Sequence, residues 1–181
     1  EAALAYLTDF SDPANYQAFV TAVGPIPTQP GATLDTAIGK VKEVHTWSGK
    51  KWGDVGAPPM KSDPVPADFD WNLWLGTATD RPFVGGGYYH PSNWRKRLDF
   101  GTGTFGDMGC HIFDPVCAAL QLTAPISVRS EGPTPSQHNW AINAVIHYVF
   151  PATPFTADKT VEVVWYDGDE RPRLIWRPTI V

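Results

Sequence analysis

Cysteine is scarce: the 181 residues hold only Cys110 and Cys117. Both fall in a segment that reads as helix, where seven positions make two turns and roughly 10 Å of rise. A disulfide needs its Cα atoms within about 7 Å, so these two cannot bridge each other, and the redox compartment stays open. No apolar run has membrane length, and nothing at Glu1 resembles a signal peptide, so the expectation is a soluble, cytoplasmic protein with no membrane partner. Basic residues are in deficit, 14 Lys+Arg against 19 Asp+Glu, which argues against a nucleic-acid partner. The one basic run, Arg95-Lys96-Arg97, is closely followed by Asp99 and reads as solvated or substrate-lining. No internal repeat is visible.

Against these absences stands a hydrophobic fraction of 43%, enough for the chain to fold as one domain or as part of a larger protein. Eight Trp and 18 Pro stand out. Core packing accounts for most Trp, but several lie beside Pro, Gly, Asn and His in loops. Exposed Trp faces beside hydrogen-bonding groups are what sugar rings pack against.

Residues 1–23 read as helical: Ala2, Ala3, Leu4, Ala5 and Leu7 are good helix formers. Asp12 and Pro13 form an N-cap and N1 pair, followed by Tyr16, Phe19, Val20 and Val23 at helical spacing, with Gly24 as the stop. Gly24–Gly31 is a loop or linker. Ile38–Trp47 reads as a strand with some slippage in its apolar set Val41, Val44 and Trp47. Gly53–Pro66 is a long loop. Phe69–Gly76 reads as a short helix with Trp71, Trp74 and Leu75 on one face and Gly76 as its cap. Residues 77–100 are irregular. Gly103 to about Leu122 is the best helix, with Met108, Ile112, Val116, Ala119 and Leu120 as its stripe and Pro115 expected to kink or split it. Strands are expected at Pro125–Arg129, Trp140–Phe150 and Thr160–Trp165, the last turning through Tyr166–Asp169 into Arg173–Arg177. The expected class is α+β: a mainly antiparallel open sheet with helices on one face.

The stretch DFGTGTFGDMGCHIFDP, Asp99–Pro115, carries two competing signals. Gly101-x-Gly103-x-x-Gly106 has the spacing of a dinucleotide loop, but NWRKRLDF before it is charged and is no buried strand. Glu131 sits at the distance of the acidic residue such a site requires, by luck of spacing. In the other reading, Asp107 and His111 at i and i+4 point the same way from a helix. A carboxylate beside an imidazole raises its basicity and fixes its tautomer, and such a pair can take a proton from a substrate hydroxyl. The plain alternative is an Asp near a helix N-terminus, stabilised there by the helix dipole, with an incidental His one turn on. Asp107, His111 and Asp114 also share a face that could bind a divalent ion, but no second segment offers an obvious fourth ligand, and no metal is expected. Cys110 and Cys117 read as small core residues.

Four blocks in order, IGKVKEVHTW, VPADFDWNLWLG, YYHPSNWR and DFGTGTFGDMGCHIFDP, resemble the C-terminal domain of the Gfo/Idh/MocA oxidoreductases, relatives of glucose–fructose oxidoreductase and inositol dehydrogenase. The tail TADKTVEVVWYDGDERP continues the likeness. The resemblance implies an NAD- or NADP-binding Rossmann domain in the full-length protein, and an α+β domain that presents an open sheet for oligomer contacts. It implies that Asp107 and His111 are the catalytic pair, with His111 moving the substrate proton and Asp107 orienting it or binding substrate. It places His90, Asn93, Trp94 and Arg95 on a substrate-facing loop and makes Asp114 a further candidate substrate contact.

The sequence also departs from the family. It has no Rossmann domain and no Glu-Lys-Pro segment, and no Lys takes the role of that segment's lysine. Residues 1–35 read as a helical segment foreign to the family, and 36–181 as a partial substrate and oligomerisation domain. The expected function is therefore the substrate-binding and oligomerisation domain of an NAD(P)-dependent sugar or polyol oxidoreductase. Alone it is expected to be inactive and without cofactor, and to form a homo-oligomer through the open sheet face. The alternative is a non-catalytic carbohydrate-binding or assembly module.

Overall fold

The computed structural model describes the backbone of residues 3–8 and the whole of residues 40–173. Five strands, β1 (Ala3–Thr8), β2 (Val41–Ser48), β3 (Ser127–Glu131), β4 (Val145–Pro151) and β5 (Thr160–Asp167), form one sheet in the order β1-β2-β5-β4-β3. Two helices, α1 (Trp71–Leu75) and α2 (Gly103–Leu120), and a 3-10 turn at Asn93–Lys96 lie between β2 and β3. The class is α+β, but the sheet is mixed: β1-β2 and β2-β5 pair in parallel, β5-β4 and β4-β3 antiparallel. Chain length between partners explains this. β4 and β5 are joined by a short connection that allows a hairpin, whereas β5 reaches β2 only after the long path through α1, α2, β3 and β4, which leaves it able to run in the same direction.

The helical reading of residues 1–23 is corrected where it can be followed: Ala3–Thr8 is a strand paired with β2. A short Ala-Leu segment has only a weak local preference, because nucleating a helix is costly, and a sheet edge that offers backbone partners overrides it. Residues 9–39, and with them most of that reading, lie outside the described residues, as does nearly all of the strand read at Arg173–Arg177. The slippage in β2 has a physical form. Ala3 faces Val41 while Leu4 faces Glu43, so Lys42 is an extra residue in the ladder. That bulge lets Val41 and Val44 both point into the core although they are three apart, and Trp47 falls in register with Tyr166, whose hydroxyl bonds His45.

α2 packs on one face of the sheet. Met108, Ile112, Phe113, Val116 and Leu120 meet Val41, Val44, Phe150, Val161, Val163 and Trp165 in one buried cluster. Ala119, expected in the stripe, is exposed, while Phe113 is buried. Pro115 does not split the helix, which runs on to a left-handed Gln121. Its missing N–H leaves the His111 carbonyl without its helical donor. The expected start of β4 at Trp140 moves to Val145, because Asn143 has a positive φ of 68° that no strand accommodates.

A second, aromatic cluster is built on α1. Asp70 caps it by accepting from Leu73 N at 2.9 Å, and Gly76 ends it with φ 59°. Trp71, Leu75, Val84 and Tyr89 are buried there, with Phe69, Trp74, Phe83 and Phe100 packed against them. Trp71 and Trp165 are core residues; Trp47, Trp52, Trp74, Trp94 and Trp140 are half-buried.

Candidate functional site

The glycines ahead of α2 are needed for close packing. A Cβ on Gly101 would lie 2.5 Å from Arg95 Cα and 2.6 Å from Arg95 O. Gly103 has φ 67°, and a Cβ there would meet the Trp140 ring at 3.1 Å; Trp140 Nε1 in turn donates to Gly101 O at 2.7 Å. A dinucleotide loop keeps such glycines bare so that a pyrophosphate can approach the backbone. Here Arg95 and Trp140 occupy that approach, so the described residues do not fit a dinucleotide cradle.

Close packing at Gly101 holds the 3-10 turn against α2, and this joins two groups of expected site residues. Arg95 Nε donates to Asp107 Oδ1 at 2.5 Å. The Arg95 guanidinium lies over the rings of Trp94 at 4.5 Å and Trp52 at 5.2 Å from their centroids. Trp52 is placed by its backbone N–H, which donates to Thr104 Oγ1 on α2 at 3.0 Å. The Asp107 carboxylate is thus held by Arg95, and no Asp107–His111 hydrogen bond forms. His111 is exposed one turn further along the helix, on the side of Asp107, and has no hydrogen-bond partner among the described residues. Asp114 is exposed on the next turn.

The rest of the loop divides. Asn93 is half-buried and donates to Gly87 O at 2.6 Å; Trp94 is half-buried under Arg95. His90 is exposed, beside Phe69, and is not drawn to the Asp107–Arg95 pair. Arg97, read with its neighbours as solvated or substrate-lining, is instead 5% exposed. Its Nη1 donates to Asp54 Oδ2 at 3.0 Å and Asn139 Oδ1 at 2.6 Å, and its Nε and Nη2 donate to Tyr88 O. Asn139, fully buried, donates to Gly56 O at 2.6 Å. This hub ties the 53–66 loop to the segment around Tyr88 and the 3-10 turn. Burial alone would raise the Asp54 pKa; the Gly56 N–H and the Arg97 guanidinium outweigh it and hold the carboxyl below its usual range.

Cys110 is exposed, which corrects its reading as a core residue: it lies on the outer side of α2, two residues before the buried Ile112. Cys117 is half-buried against the core, and burial together with the Asp114 charge pushes its thiol pKa up. Among the described residues no three His, Cys, Asp or Glu side chains come together as a metal site. No helix among them is long and apolar enough to cross a membrane. A separate shallow cleft is lined by Pro58, Arg81, Tyr88, Asp99 and His138 and contains none of the expected site residues.

The sheet face away from α2 mixes charge with apolar surface. His45 hydrogen-bonds Tyr166 OH at 3.0 Å and lies 3.1 Å from Glu43, while His147 lies 2.7 Å from Glu162. Burial holds the His45 pKa below its usual value, against the pull of Glu43 and Glu162.

Sequence reasoning missed Trp52, Asp54 and Asn139. Each lies in an irregular segment, where no periodicity marks an inward side chain. The nearest signal was the Trp52-Gly53 pair at the start of the long loop, four residues after β2. No curated protein matches the chain. The model of a family described as the oxidoreductase family, C-terminal alpha/beta domain, matches residues 31–169, the span that contains β2, α1, α2 and the Arg95–Asp107 pair. The chain belongs to that family, the C-terminal domain of the Gfo/Idh/MocA oxidoreductases.

Proposed function

We propose that this chain is the substrate-binding domain of an NAD(P)-dependent oxidoreductase acting on a sugar or polyol, with Asp107 and His111 at its centre. The observation that carries this reading is the exposed His111, one helical turn beyond a carboxylate fixed by Arg95, inside the family-matched region. A solvent-facing imidazole with no competing partner is free to accept a proton from a substrate hydroxyl. Asp107, fixed by Arg95, supplies a stationary acceptor for a second hydroxyl. Trp94 offers an apolar ring beside them. In this reading the chain's part is to bind and orient substrate and to move the proton. A second copy of the chain is the proposed occupant of the His45–His147 sheet face, as the family resemblance implies.

The test is a titration of neutral sugars and polyols into the chain, read by Trp fluorescence, with His111→Ala beside the wild type. Loss of one hydrogen bond to a bound hydroxyl weakens affinity by about fivefold to tenfold. Equal affinity in both proteins would overturn the role of His111 and favour a non-catalytic carbohydrate-binding module.

A further inference from the structure

Arg95 carries more donors than the fold uses. Its Nε is engaged by Asp107, but neither Nη group hydrogen-bonds to any described residue, and the side chain is 27% exposed. Arg97, two residues on, is the reverse: its Nε, Nη1 and Nη2 all donate within the protein. The Arg81 guanidinium is bound by Thr79 O and Asp99. Unlike Arg97 and Arg81, Arg95 is held in place with its outer edge unspent. Its backbone is wedged against Gly101, and its plane lies over Trp52 and Trp94. Much of the rotamer entropy an arginine loses on binding is already lost here.

We propose that Arg95 is a carboxylate receptor and that the substrate of this site is an acidic sugar, one bearing a carboxylate. The proposal rests on the Asp107–His111 turn being the substrate site. Two free Nη groups in one plane match two coplanar oxygens, the pairing that makes arginine–carboxylate bonds strong and directional. Asp107 already offsets most of the guanidinium charge. A monoanion adds one further negative charge there, whereas a phosphate dianion would crowd three around a single cation. The ring of such a sugar would lie within reach of Trp94, and a hydroxyl within reach of His111.

The experiment is a fluorescence titration of the chain with glucuronate and galacturonate, their neutral parents glucose and galactose, and glucose 6-phosphate, at matched ionic strength. The expected result is that at least one uronate binds about tenfold tighter than its neutral parent, as a charge-assisted bond predicts. Arg95→Gln is expected to bring that ratio close to one. If that variant fails to fold, the wild type decides: added KCl should weaken uronate binding and spare neutral-sugar binding. Equal affinity for uronate and parent, or no saturable uronate signal, overturns the proposal. Tightest binding by glucose 6-phosphate overturns the carboxylate assignment in favour of phosphate. Neutral sugars that still bind in a His111-dependent way would leave the broader substrate-site reading standing while this one falls.

Discussion

Gly101 and Gly109 lie eight positions apart in one glycine-rich stretch, yet they are expected to respond to alanine with opposite signs. At Gly101 the new Cβ would sit 2.5 Å from a backbone atom of Arg95, which cannot move without pulling the 3-10 turn off α2. Gly101→Ala is expected to destabilise the protein by about 1–3 kcal/mol, as overpacking does. Gly109 lies inside α2, and its nearest neighbour is the Phe105 ring at 3.6 Å, an ordinary contact. Gly109→Ala is expected to stabilise by about 0.5–1 kcal/mol through helix propensity. Urea denaturation of the two variants checks both signs. If Gly101→Ala proves neutral, the close packing of turn and helix is not rigid. Spacing alone could not distinguish these glycines. The difference between them is what lies 3 Å away, and that neighbour comes from elsewhere in the chain. Asp107 and His111 were legible because a helical period places them together, but Arg95 as the holder of Asp107 was not. The family resemblance places Arg95 on a substrate-facing loop, and only the path of that loop brings its Nε to the carboxylate.

Two elements carry residues that work against stability. Pro115 lies exposed within α2 and removes the donor to the His111 carbonyl. Pro115→Ala is expected to raise stability by about 1–3 kcal/mol, since an interior proline costs a helix around that much. A variant no more stable than wild type, judged by thermal melting, would mean that the surroundings already compensate for the proline. Asp167, at the end of β5, is 4% exposed and accepts from Ala144 N at 2.8 Å. Burial raises its pKa above the ordinary 3.8, and its hydrogen bonds, the Ala144 N–H first among them, only partly oppose this. The folded state then holds the Asp167 proton more tightly than the unfolded state. Its contribution to stability is greatest below the unfolded pKa and is lost as pH rises through the folded pKa. Asp167→Asn, which keeps the acceptor oxygen, is expected to be more stable than wild type at neutral pH, with the gap closing as pH falls toward 3.8. Chemical denaturation across that range checks it, and a gap that widens toward acid would refute the assignment. At this scale much of the fold was legible. α1, α2 and three of the strands announce themselves by period, caps and β-branched content. The start of β4 did not, because it depends on Asn143 taking a conformation that its neighbours impose, and the bulge in β2 showed only as slippage that did not point to Lys42.

For the molecule as a whole, the oligomer contact proposed above lies on the sheet face away from α2. Two His–Glu pairs lie there with Tyr166 and the register partner of Tyr166, Trp47. A second copy of the chain is its proposed occupant, so light scattering after gel filtration is expected to show a dimer or larger species at micromolar protein. A monomeric wild type would remove that surface from the proposed function. Acid should also act through this face. The His45 pKa lies below its usual 6.5, so the neutral imidazole supports the fold above that pH, and the support is lost as pH falls and the ring must charge.

The sequence by itself determined the class of the fold, the long amphipathic helix and the Asp107–His111 spacing, because each is written in residues close enough along the chain to show a period. It also carried the family, in four ordered blocks that no single motif could establish. The tertiary structure alone decided that the sheet is mixed, that the opening segment Ala3–Thr8 is a strand, that Arg97 is buried while Arg95 keeps a free edge, and that the glycine motif is packed against Arg95 and Trp140. Each of these depends on a contact between residues far apart in sequence. Whether a strand runs parallel, whether an arginine finds a carboxylate and whether a glycine has room above it are all settled by the partner, which the local chain does not name.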